Sequence, residues 1–209
     1  MSSKGLCFHF EDNQNSLILE FTILYLMAYE KKNENIKQTY EVPLNTFSYL
    51  FSEIIKYYSS KDTKDGKKVD EYLSALGFPI GQKLLELYSF RRGDSSRKKD
   101  TKIIPMLRTI SDIWKCLFKK EVSLEKAVDS EIEYRIVDPL PITNLYASTS
   151  ESLVDCSYFL SGIIEGILYV CDFDAKVDSF IQYDPNDRRI VFVIKFAKEV
   201  VERDKKLNK

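Results

Sequence analysis

The sequence has one histidine, His9, and four cysteines, Cys7, Cys116, Cys156 and Cys171. A Ser/His/Asp or Cys/His nucleophile system would have to use His9, which lies in the least patterned part of the sequence. No two cysteines stand at CxxC spacing, and His9 has no partners at the intervals of a His/Cys zinc site. GQKLLE, from Gly81, pairs a glycine with a lysine but lacks the Gly-rich turn that cradles phosphates, and no GxGxxG is present. Carboxylates are plentiful, but chain order alone does not bring two of them together. Cys156 and Cys171 bracket an apolar run and read as small buried hydrophobes; Asp155 beside Cys156 opposes a reactive thiolate. The residue types therefore predict no catalytic set, no metal site and no cofactor, and a chain that is not an enzyme by itself.

Composition narrows the classes further. Aliphatic and aromatic residues make up 44% of the 209 residues, including thirteen Tyr and thirteen Phe, which is ample material for a core and for contact surface. The net charge is −1, whereas a chain that grips nucleic-acid backbones shows a basic excess, so protein partners are expected and nucleic acid is not.

Two apolar runs pose a membrane question. Leu17–Ala28 is interrupted by Glu20 and preceded by Glu11 and Asp12, a poor match to a signal peptide. The four cysteines are accordingly expected as free thiols in a reducing compartment. SYFLSGIIEGILYV, residues 157–170, carries two glycines four apart, Gly162 and Gly166. As a helix its 14 residues reach about 21 Å, short of the roughly 30 Å hydrocarbon core, so a buried helix is expected. Glycine costs a helix about 1 kcal/mol relative to alanine, so two of them imply close approach of a neighbouring element, the sheet being the simplest.

The elements that would position any site follow from periodicity. Residues 1–43 read as an N-terminal extension without a clear plan, and a domain is expected over 44–206. PLNTFSYLFSEIIKYY puts Leu44, Phe47, Leu50, Phe51, Ile54, Ile55, Tyr57 and Tyr58 on one helical side. The arc is about 160° wide, broader than the roughly 100° one core contact needs, and predicts a helix with two buried surfaces. SSKDTKDGKK reads as a loop. VDEYLSAL then predicts a short helix ended by Gly77 in a left-handed cap, with a new helix beginning at Pro79 and continuing through IGQKLLELYSF. RRGDSSRKKDTK, with six basic and two acidic residues, reads as a solvated linker, and Asp100 or Thr101 as the cap of the next helix. That helix is IIPMLRTISDIWKCLF, with Ile103, Met106, Leu107, Ile110, Ile113, Trp114 and Leu117 on one stripe.

The period then changes to two. EIEYRIV alternates Ile132, Tyr134 and Ile136 with Glu131, Glu133 and Arg135, a strand with one wet face. Ser150–Ser152 offers a cap for the 157–170 helix. AKVDSFIQY, a DPND turn and RIVFVIKFA predict a hairpin, whose second strand is apolar on both faces and therefore central. KEVVERDKK closes as a short amphipathic helix. The order predicts an α+β fold, helices packed on one twisted antiparallel sheet.

Several strings in this order resemble the small subunits of the transport protein particle (TRAPP) family. LGFPIGQKLLE (Leu76–Glu86), DTKIIPMLRTISDIWKCLFKKE and LNTFSYLFSEII resemble successive helices of those subunits. DCSYFLSGIIEGIL, AKV at 175–177 and IKFAKEVVERD resemble the subunit-5 type. The resemblance covers residues 44–206. It implies a scaffold subunit of an elongated vesicle-tethering complex in endoplasmic reticulum to Golgi transport, which as a whole promotes nucleotide exchange on a Rab GTPase. It implies sister subunits as partners, a Rab GTPase as a further partner through the complex, and a cytoplasmic protein peripheral to endoplasmic reticulum and Golgi membranes. Family members pair through their first two helices, so Phe47, Leu50, Phe51, Ile54 and Tyr58 form the candidate partner interface, and Phe51→Asp is expected to harm binding more than folding. A sister subunit carries an acylated cysteine before its third helix; here that position falls in Ser96–Asp100, which has none. The alternative reading is a small hydrophobic-molecule-binding domain of related fold.

Overall fold

The computed structural model describes residues 44–65, 69–92, 100–127, 130–139, 143, 156–184 and 187–208. Five helices and four strands occur among them: α1 Leu44–Asp65, α2 Val69–Arg92, α3 Ile103–Phe118, β1 Ser123–Lys126, β2 Glu133–Asp138, α4 Tyr158–Val170, β3 Ala175–Asp184, β4 Asp187–Phe196 and α5 Lys198–Leu207. The strands form one antiparallel sheet in the order β1-β2-β4-β3, with the helices packed against it. The α+β arrangement is the expected one, and β4, apolar on both faces, is central. Its even residues, Ile190, Phe192, Ile194 and Phe196, share the core face with Tyr134, Ile136 and Val177, and all are buried.

Helices α2 and α4 meet through their backbones. A Cβ built on Gly162 would lie 2.0 Å from the Ser74 carbonyl oxygen, and one on Gly166 would lie 2.0 Å from that of Phe78. The contact is reciprocal: a Cβ on Gly77 would lie 2.1 Å from the Phe159 oxygen and one on Gly81 2.1 Å from the Ile163 oxygen. Ser74 meets Gly162 and Phe78 meets Gly166, so the two helices run in the same direction. Each glycine turns a Cα–H toward a carbonyl, a contact worth about 0.5–1 kcal/mol.

This arrangement corrects two expectations. Gly77 is not a helix terminator: α2 runs unbroken through Gly77 and Pro79, and Gly77 is buried in the α4 contact. Gly162 and Gly166 face a helix, not the sheet. The local sequence LGFP carries the signature of a helix stop, but backbone packing against α4 offsets both the missing proline N–H and the glycine entropy.

Other boundaries also moved. α1 continues to Asp65, through much of the segment read as a loop. The four exposed residues of β1 lack alternation and were not predicted. The N-cap of α3 is Lys102, without a side-chain bond of its own. Instead Asp204 of α5 accepts the Ile103 N–H at 2.9 Å, while Asp100 accepts the Thr109 hydroxyl at 2.8 Å. The N-cap of α4 is Ser157, whose hydroxyl donates to that of Ser179 at 2.7 Å; Ser150–Ser152, the DPND turn residues Pro185 and Asn186, and residues 93–99 of the charged linker lie outside the described residues. Trp114 joins the helices to the sheet: fully buried, it packs on Phe192 and donates its indole N–H to buried Asp138 at 3.2 Å.

Gly162→Ala separates two effects. Helix propensity alone would stabilise the variant by about 1 kcal/mol. The clash with Ser74 instead predicts a net loss of about 1–3 kcal/mol, and unfolding for Gly162→Leu, measured by urea denaturation. An unchanged or raised midpoint in both variants would refute the contact.

Candidate partner interface

α1 supplies the candidate face, and its placement divides that face. Phe51 and Ile54 are buried, each 4% exposed. The Phe51 ring lies 5.5 Å from that of Phe159 on α4, and Phe47 stacks on Phe51 at 5.5 Å. Phe47, Leu50 and Tyr58 are half-buried at the margins. Tyr58 stacks on Tyr72 of α2 at 5.0 Å, with Tyr57 edge-on to Tyr58 at 5.3 Å. Tyr49 is 77% exposed and Tyr57 37%. The five candidate residues thus lie along one helix, but three of them, Phe51, Ile54 and Tyr58, hold α1 to the rest of the chain. Phe51→Asp would bury a charge against Phe159, so the expectation that it spares folding does not suit this placement.

Aromatic side chains that are half-buried on one side present a rigid, amphipathic surface on the other, the composition that protein interfaces favour. Tyr49 was missed by the sequence reading because it falls off the apolar arc. Phe90 near the end of α2 is 78% exposed as well.

The polar groups present no assembled chemistry. Among the described residues no cluster of three or more His, Cys, Asp or Glu could hold a metal ion. Among those residues no buried side-chain nitrogen or oxygen lacks a hydrogen-bond partner. No disulfide joins Cys116, Cys156 and Cys171; Cys116 is exposed and Cys156 buried. His9 and Cys7 lie outside the described residues. No described helix is long and apolar enough to cross a membrane.

Glu165, between the two α4 glycines, is the titratable group that the fold perturbs most informatively. Its carboxylate accepts the Val177 N–H of β3 at 3.3 Å. Burial pushes its pKa above the ordinary 4.5, aided by Asp178 and Asp174 and opposed by the Val177 N–H and Lys176.

An α+β module with one helix displaying aromatic and aliphatic side chains at its surface is the class these features define. The chain belongs to the TRAPP family: the family model described as transport protein particle (TRAPP) component matches residues 47–197. A Dictyostelium discoideum protein named Trafficking protein particle complex subunit 5 is 37% identical over 170 residues, spanning 78% of this chain and 90% of that protein. The Homo sapiens protein of the same name is 30% identical over 171 residues, spanning 80% of this chain and 87% of that protein. Among solved structures, a subunit 3 from Naegleria fowleri, covalently bound to palmitic acid, superposes with a TM-score of 0.55. It is 16% identical and covers 74% of this chain and 95% of its own, a likeness of fold alone.

The Glu165 shift has a definite pH consequence. Because the folded pKa exceeds the unfolded one, the folded state holds the proton to higher pH. The cost of charging Glu165 is absent below about pH 4.5 and complete once pH has passed the raised value. Glu165→Gln keeps an acceptor for Val177 and removes that cost. Its stability relative to the parent chain should rise from about pH 4 to about pH 7.5, read by urea denaturation; a difference independent of pH would contradict the assignment.

Proposed function

We propose that this chain is a structural scaffold subunit of the assembled TRAPP complex, acting in endoplasmic reticulum to Golgi transport. The observation that carries the reading is the family match over 47–197 together with 37% identity to a subunit 5 across 90% of that protein. On this reading residues 44–206 are the subunit domain and 1–43 an extension. The chain contributes contact surface, and nucleotide exchange on a Rab GTPase belongs to the complex. It works in the cytoplasm, peripheral to endoplasmic reticulum and Golgi membranes.

The partners are sister small subunits, docked on α1. Leu50, Phe47 and Tyr58 supply the half-buried part of that surface, with exposed Tyr49 and Tyr57 at its rim. Phe51 contributes from beneath by packing on Phe159 of α4, and Ile54, on the same side of the helix, is buried as well. A surface of this kind concentrates its energy in a few aromatic and aliphatic anchors.

Co-expression with each candidate sister subunit, followed by composition and stoichiometry of the purified species, tests the scaffold reading. The expected result is a stoichiometric complex with at least one of them. A well-behaved monomer at high concentration with affinity for none would reject it. For the surface, Leu50→Asp and Tyr49→Asp should each weaken a subunit complex at least tenfold, about 1.4 kcal/mol, with melting temperatures within a few degrees of the parent. Unaltered affinity in both would move the interface off α1.

A further inference from the structure

The two edges of the sheet are protected differently. β1 is four residues long, exposed throughout, and carries Glu125 and Lys126. A short charged edge offers little for another strand to pair with. β3 is ten residues long and includes VDSFIQY, a β-prone run with Phe180 44% exposed. Among the described residues it is the last strand on its side.

The register shows which backbone groups face outward there. The Phe196 N–H bonds to the Ile132 carbonyl, and the Ala197 N–H to that of Asp174. Even residues of β4 therefore point toward β2 and odd residues toward β3. Val177 is opposite Ile194. Val177, and with it Ala175, Ser179 and Ile181, turns N–H and C=O to the outer edge. Such a row is a template for strand addition.

Glu165 reaches that row. Its carboxylate accepts the outward Val177 N–H at 3.3 Å, and Ser157 ties the start of α4 to Ser179 at 2.7 Å. α4 cannot slide away from the edge, because Gly162 and Gly166 on either side of Glu165 lock it against α2. We propose that Glu165 is an edge guard: it occupies one outward donor of β3, that of Val177, and places a carboxylate where an incoming strand would lie, closing that edge to pairing with another extended chain. The surface so closed is specific for a β-strand, and the strand with matching length and pattern nearest to hand is β3 of a second copy.

The guard is lost when the side chain no longer reaches Val177. A fluorescently labelled peptide of residues 175–184 probes the edge by anisotropy, against the full chain. The peptide should bind Glu165→Ala at least tenfold more tightly than the parent, and Glu165→Gln, which retains the acceptor, no more tightly than the parent. Alanine is a better helix former than glutamate, so folding should be preserved, checked by far-ultraviolet circular dichroism. Glu165→Ser, equally short, provides a second test. Equal peptide affinity for the folded short-chain variants and the parent would overturn the proposal. So would a Glu165→Gln affinity matching that of Glu165→Ala.

Discussion

Between Gly77 and Gly81 of α2 and Gly162 and Gly166 of α4 there is no room for a single methyl group, since each added Cβ would come within about 2 Å of a carbonyl oxygen of the other helix. Four helical glycines forfeit roughly 4 kcal/mol of propensity relative to alanine. The fold recovers this through close dispersion contact and four Cα–H···O approaches, and through what the fixed position of α4 makes possible. From that position Ser157 and Glu165 reach β3, and Phe159 receives Phe51 of α1. Displacing α4 by one side-chain width would break all three connections.

A second set of ties runs through the end of the chain. Asp204 of α5 accepts the first N–H of α3, a hundred residues earlier in sequence. Arg203 donates to the Asp172 carbonyl at 2.8 Å and lies 4.9 Å over the Phe173 ring, clamping the turn where Asp172 takes φ 59. Trp114 and Asp138 connect α3 with the end of β2. The helices are thus held to each other and to the sheet by groups from several elements, and α1, held chiefly by Phe51, Ile54 and Tyr58, leaves Tyr49 and Tyr57 exposed. The proposed scaffold role would use this combination of a fixed frame and a helix not fully used by it.

Much of the frame was legible because periodicity is a local property that tertiary structure seldom reverses. Alternation identified β2, the DPND turn between two strand-like runs identified β3 and β4, and two-sided apolarity marked β4 as central. The 103–118 stripe corresponds to a helix whose apolar side is buried. The failures have a common physical origin. Glycine serves both as a helix terminator and as a site of close approach, and LGFPIG carries no local clue to which applies. The clue was the second four-residue glycine spacing at 162 and 166, in a segment about eighty residues away. The Asp204 cap and the Trp114–Asp138 bond are likewise invisible to any window of a dozen residues. For the interface, an arc of about 160° marked α1 as more apolar than one contact needs, but angular position alone could not tell that Phe51 meets Phe159 of α4 and Ile54 is buried while Tyr49 remains outside. Family resemblance, carried by motifs in order, supplied what periodicity could not: the family to which the chain belongs.

If the glycine contact is the keystone, α2 and α4 cannot open separately. Native-state hydrogen exchange across a denaturant series reads this directly, amide by amide. The account predicts that the central amides of both helices, around Phe78 and Ile163, exchange with one shared free energy and one shared denaturant dependence, equal to those of global unfolding. Exchange of α2 through a smaller local opening, with α4 still protected against the sheet, would contradict it.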